Sequence, residues 1–194
     1  MPCEEIGDGL TNLTIVHSSL QEWYMLITRS TETHVGMTKL LSKFYAQNET
    51  IWTVNTTART KIFCKVDFVN RTTPKYTDFL RAYFLNGTLE KNSLQGTFTK
   101  IGFFSGNTTI FDAMLVGAKG GMYTSTEQLL YAYENYTCGI FRVSYMPLMR
   151  GSQYEVRVKQ STIFHPNASC VAKFLELSKK SGFTTLYNDS CQHT

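Results

Sequence analysis

Residues 138–160 read "CGIFRVSYMPLMRGSQYEVRVKQ", and the period of this stretch decides the fold. From Phe141 to Tyr145, and again from Tyr154 to Lys159, large apolar residues alternate with small or charged ones. A period of two is the mark of a strand with one face buried. Between the two runs "PLMRGS" carries a proline and a glycine, the residues that punctuate a chain where it turns. The pair therefore predicts two antiparallel strands.

The same rhythm continues upstream. "YTDFLRAYFL" (76–85), "LQGTFTKIGFF" (94–104), "TTIFDAMLVG" (108–117) and "TEQLLYAYE" (126–134) are short apolar or alternating runs separated by "NGTLEKN", "SGN", "AKGGMYTS" and "NYT". "EWYMLITRS" (22–30) and "TKIFCKVDFVN" (60–70) add two more strands, for eight in all. Strands at this spacing predict an antiparallel sandwich or up-and-down barrel. Two segments break the rhythm. "GMTKLLSKFYAQ" (36–47) sets Met37, Leu40, Leu41, Phe44 and Tyr45 on a helical face, or else belongs to a long loop. Downstream, "CVAKFLELSKKSGF" (170–183) reads as a surface helix. Asn167 or Ser169 stands at its N-cap after Pro166, Val171, Phe174 and Leu175 form its apolar stripe, and Gly182 follows its end.

Length, charge and cysteines bound the function. A chain of 194 residues is enough for one domain with a sizeable core. The division expected is an N-terminal segment at 1–20, a barrel at 21–160 with a long connection at 31–59 between its first two strands, and a helix and tail at 161–194. The formal net charge is +4 and the Lys and Arg residues are scattered, which gives nucleic-acid binding little support. No run of eighteen apolar residues exists to span a membrane. The start, "MPCEEIGDG", has no apolar signal-peptide core, so any such peptide is expected to be already removed. Nine of the ten asparagines head an Asn-x-Ser/Thr triplet: Asn12, Asn48, Asn55, Asn70, Asn86, Asn107, Asn135, Asn167 and Asn188. About a fifth of the chain is Ser or Thr, and chance would then give roughly two such triplets, so the excess points to a secreted, N-glycosylated protein. The five cysteines read as disulfide partners in an oxidising compartment, and the odd one left over is expected to be Cys3. Four cysteines alone allow three pairings. There is no Gly-x-Ser-x-Gly elbow, phosphate loop, Cys-x-x-Cys or His-x-x-x-His, so no enzyme, metal or cofactor is expected.

Eight antiparallel strands followed by one amphipathic helix are the lipocalin plan, a barrel just wide enough for one small ligand. More narrowly, Cys138 opening a strand, Glu155 in the next, Cys170 at the start of the helix and Cys191 after a short tail resemble the tick salivary lipocalins. That resemblance implies the disulfides Cys138–Cys170 and Cys64–Cys191. The amine-binding branch of the family carries an acid directly after the strand-opening cysteine and an aromatic residue two positions after the glutamate. Here those places hold Gly139 and Arg157. A buried ammonium group needs carboxylates to replace its lost hydration, so histamine or serotonin binding is discounted. The chain looks most like the japanin-type members, which are linked to sterol binding and to modulation of host dendritic cells.

Alternation, anchored on an outward Cys138 and the family register, gives the expected ligand-binding lining: Tyr24, Leu26, Ile101, Phe103, Phe111, Leu115, Leu129, Tyr131, Tyr133, Phe141, Val143, Tyr145, Glu155 and Arg157. An apolar cavity with one Glu–Arg pair suits a neutral ligand with a single polar handle, such as cholesterol. A fatty acid or eicosanoid bound at Arg157 is the alternative. A barrel packed with its own side chains, or one acting through a host immune-cell receptor, is a different class of reading. The expected state is a monomer, unless Cys3 pairs between chains.

Overall fold

A computed structural model describes residues 41–101, 111–146 and 151–193. They contain one antiparallel sheet of β1 (Thr50–Thr56), β2 (Ile62–Thr72), β3 (Tyr76–Leu85), β4 (Thr88–Thr99), β5 (Ala113–Ala118), β6 (Tyr123–Tyr133), β7 (Cys138–Tyr145), β8 (Gln153–Lys159) and β9 (Thr184–Thr185). Strands β2 to β8 pair in chain order, β8 pairs with β1, and β1 pairs back onto β2. Eight strands thus close into a barrel, which removes the exposed edges. A short helix, α1 (Leu41–Phe44), precedes β1, and α2 (Ala168–Ser178) follows β8.

The strand that closes the barrel is a correction to the sequence reading. Residues 31–59 were expected to be a connection, but Thr50–Thr56 is β1 and bonds to both β2 and β8. Its residues "TIWTVNT" are mostly β-branched or aromatic, as a strand favours. The alternation is hidden because both faces are buried. Ile51 packs inside the barrel, whereas Trp52 packs outside it. The strand expected at 22–30, with Tyr24 and Leu26, lies outside the described residues, as do Cys3, Asn12, Phe103 and Asn107.

The barrel wall separates two apolar layers. The outer layer packs Cys138, Ile140, Val156 and Val158 against Cys170 and Phe174 of α2, and Trp52 against Tyr187 of the tail. Helix α2 begins where the Asn167 side chain accepts a hydrogen bond from the Cys170 N–H at 2.9 Å, which satisfies one of the orphan donors of its first turn. Beyond its end, Gly182 takes φ +69° and donates its N–H to the Ser178 carbonyl. Of the expected stripe Phe174 is fully buried, but Leu175 is 42% exposed; Cys170 and Ser178 complete the buried face. The disulfides Cys138–Cys170 and Cys64–Cys191 are both formed. The first pins α2 to β7. The second ties the tail to β2, beside the short β9 that runs antiparallel to β1.

Candidate functional site

The inner layer starts from what α1 places at one end of the barrel. Leu41, Phe44 and Tyr45 are completely buried among Ile51, Val69, Phe79, Phe98, Met114 and Phe141. The Phe44 and Phe141 rings meet edge to face at 5.1 Å. Gly139 makes this possible. A Cβ there would stand 2.7 Å from the Phe44 ring and 2.9 Å from Leu129. Any side chain at this position would collide with Phe44 and Leu129.

Above the plug lies a network of ionised side chains. Arg81 bonds Asp67 through Nε and Nη2, both at 2.7 Å, and reaches Glu127 with Nη1 at 2.8 Å. Arg157 donates to Glu127 at 2.5 Å and to Glu155 at 2.6 Å. Lys65 donates to the other oxygen of Glu155 at 2.7 Å. The Tyr45 hydroxyl accepts from Arg157 and donates to Asp67 at 2.7 Å. Three carboxylates and three cations therefore balance, each with a partner of opposite sign. Five of the six sit on β2, β6 and β8 at alternate positions, Lys65 and Asp67, Glu127, Glu155 and Arg157, and Arg81 faces them from β3.

The environment fixes their protonation. Burial pushes the Glu155 carboxyl up, but Lys65 and Arg157 outweigh it and hold the group at about 2. Glu127 is likewise opposed by burial and driven well below the usual carboxylate range by Arg157 and Arg81. Burial lowers the Lys65 ammonium despite Glu155, and it raises the Tyr45 phenol well above its ordinary value. At the end of the barrel away from α1, Tyr145 is half exposed. Its hydroxyl accepts from Gln153, which also donates to Glu155. Burial and the nearby Glu155 push that phenol up to about 12, so it remains a donor at neutral pH.

The expected lining is partly brought together here. Phe141, Val143, Glu155 and Arg157 are fully buried, with Phe141 and Val143 in the inner layer and the two charged groups in the network above it. Leu129 and Phe111 pack against the inner layer, where Phe111 stacks on Phe98, and Tyr145 stands at the rim. Tyr131 and Tyr133 face the other way. A bulge between Leu129 and Tyr131 shifts the register by one, and both tyrosines join the outer layer, where Lys173 lies 5.1 Å from the Tyr131 ring. Leu115 is outside as well. On β5 Met114 and Val116 point inward, and a run apolar on both faces concealed that register. Ile101 lies beyond the end of β4 and is 39% exposed. The reading missed Lys65, Asp67, Arg81, Glu127 and Tyr45. Glu127 was within reach, two positions before the inward Leu129 on the same strand face.

No family model matches the sequence, and no curated protein matches it. Solved structures do match in shape. The structure of AM182 in complex with serotonin aligns with a TM-score of 0.57 at 17% identity, covering 79% of this chain and 93% of that one. The cockroach allergen Per a 4 aligns with 0.54 at 13% identity, over 81% of this chain and 94% of its own. The siderocalin Ex-FABP, described as having dual ligand specificities, aligns with 0.52 at 9% identity, over 73% and 94%. The closed eight-stranded barrel, the plug at one end and the helix stapled to its side give this chain the lipocalin fold.

Proposed function

We propose that this protein is a secreted binding protein that takes one small, mostly apolar and uncharged ligand into its barrel, with a sterol such as cholesterol favoured. The observation that carries the reading is the closed charge balance of the interior. A fatty-acid carboxylate would have to displace Glu127 or Glu155 from Arg157, where both sit within 2.6 Å. An amine would have to displace an arginine or lysine from its carboxylate, and removing one partner of a buried pair costs about 3–5 kcal/mol. A neutral ligand disturbs neither. Its lone hydroxyl would meet Tyr145 or Gln153 at the rim. The cysteine and glutamate pattern shared with the tick salivary lipocalins supports action in saliva on host immune cells, dendritic cells among them. Organic extraction and native mass spectrometry of protein secreted from eukaryotic cells test the ligand. A sterol in the extract and a matching mass difference are expected. A clean ligand-free mass with nothing extractable would overturn the reading.

A further inference from the structure

The seven described sequon asparagines do not sit in equivalent surroundings. Asn48, Asn86 and Asn135 are turn residues with φ between +50° and +65°. Asn55 lies within β1, paired to β8 and β9, with its side-chain oxygen buried and unbonded. Asn167 caps α2 through its oxygen, which leaves its nitrogen available, and Asn188 accepts from Ser190 in the tail. Asn70 differs from all of these. It is the extra residue of a bulge in β2, between the Val69–Phe79 and Arg71–Asp78 pairs. A bulge frees a residue from the ladder and re-aims its side chain. Val69 points into the barrel, so Asn70 and Phe68 on either side project outward, and both are exposed.

Phe68 is 43% exposed, an unusual state for a phenylalanine in mid-strand. It lies opposite Leu80 of β3, which lies opposite Ser93 of β4. These three residues, with Asn70, Asp78 and Lys119, line an open groove of about 510 Å³ on the outer wall, a size that holds a small molecule. Aromatic residues also stand two positions before Asn86 and Asn135, but Phe84 and Tyr133 are packed in the outer apolar layer. Among the described sequons Asn70 alone has an exposed Phe, Tyr or Trp two positions before it; before Asn167 that place holds the exposed His165.

We propose that Asn70 carries an N-glycan whose first N-acetylglucosamine lies in this groove over the Phe68 ring, so that the sugar serves as the missing cover of the β2–β4 wall. The pyranose ring is amphipathic. One face presents C–H groups that pack on an aromatic face, and its hydroxyl and acetamido groups meet water or the polar rim formed here by Asp78, Ser93 and Lys119. Attachment is redox-neutral. Asn70 Nδ2 forms a bond to C1 of the sugar, the C1–O bond of a lipid-linked pyrophosphate donor breaks, and the lipid pyrophosphate leaves with one proton released. The inference is independent of what occupies the barrel, so a failed ligand test leaves it standing.

The test uses full-length protein secreted from insect or mammalian cells, as wild type, N70Q, F68A and the double variant. Both positions face solvent, so each variant is expected to fold. Peptide mass mapping should find glycan on Asn70, and magnetisation transfer should connect its acetamido methyl to the Phe68 ring protons. In thermal denaturation N70Q should lower Tm by roughly 2–4 °C in the presence of Phe68, and by less than about 1 °C in the F68A background. An unmodified Asn70 would overturn the proposal. So would a glycan with no transfer to Phe68 whose removal shifts Tm equally in both backgrounds.

Discussion

The two sides of the barrel wall at β7 and β8 are built from neighbouring residues and held by different physics. Outward, Ile140, Val156 and Val158 meet Phe174 and a disulfide. Inward, one residue away in each case, Phe141, Glu155 and Arg157 meet an aromatic plug and a network of ions. Burial of apolar area is non-directional and tolerates replacement by similar volumes. The charges inside are stable only as a complete set, because each one pays a desolvation cost that its partners must offset. The outer layer should therefore respond to perturbation in proportion to what is removed, and the inner layer should fail abruptly.

That contrast can be broken from either side. The largest effect is expected from C64A/C191A. The bond closes a sequence separation of 127 residues, and its loss should cost about 5 kcal/mol in chain-entropy terms, read as a lower denaturant midpoint under non-reducing conditions. Next is R157M. It strands Glu127 and Glu155 on one side of their network, and a loss of about 3–5 kcal/mol is expected. A cost below about 1 kcal/mol would mean that the interior is far more hydrated than its burial indicates. Third is acid. Glu155 is held at about 2 when folded against an ordinary value of 4.5, so its stabilising contribution is complete above about pH 4.5 and is lost as pH falls toward 2. That amounts to on the order of 3 kcal/mol, and unfolding followed between pH 6 and 2 should show it. The smallest is N167A, which removes the α2 cap and should cost about 1 kcal/mol. N167D, which keeps the capping oxygen without the glycan site, separates the two roles of that residue.

Legibility in the sequence followed the same division. The hairpin at 138–160, the helix at 168–178 and the order of β2 to β8 could be read because apolar residues recur there at a regular period, or in short runs that turn residues separate, even where both faces are buried. β1 could not, since Ile51 inside and Trp52 outside are both apolar. Facing was read correctly at Phe141, Val143, Glu155 and Arg157, where an outward Cys138 anchored the register. It slipped at Tyr131, Tyr133 and Leu115, where a bulge or a two-faced apolar run intervened. The Glu155–Arg157 pair was visible because both residues lie on one strand. Its extension to Lys65, Asp67, Arg81 and Glu127 depends on side chains from three other strands meeting at the centre, and no local pattern encodes that meeting.

The bond between Cys64 and Cys191 also has a meaning in time. A ribosome adding roughly 5–20 residues per second leaves Cys64 waiting on the order of ten seconds before its partner exists, and Cys138 is made during that wait, ahead of its own partner Cys170. The native pairing therefore depends on an isomerase, or on the β2–β8 meander keeping the two early thiols apart. A chain cut short between residues 170 and 191 therefore offers Cys64 only non-native partners.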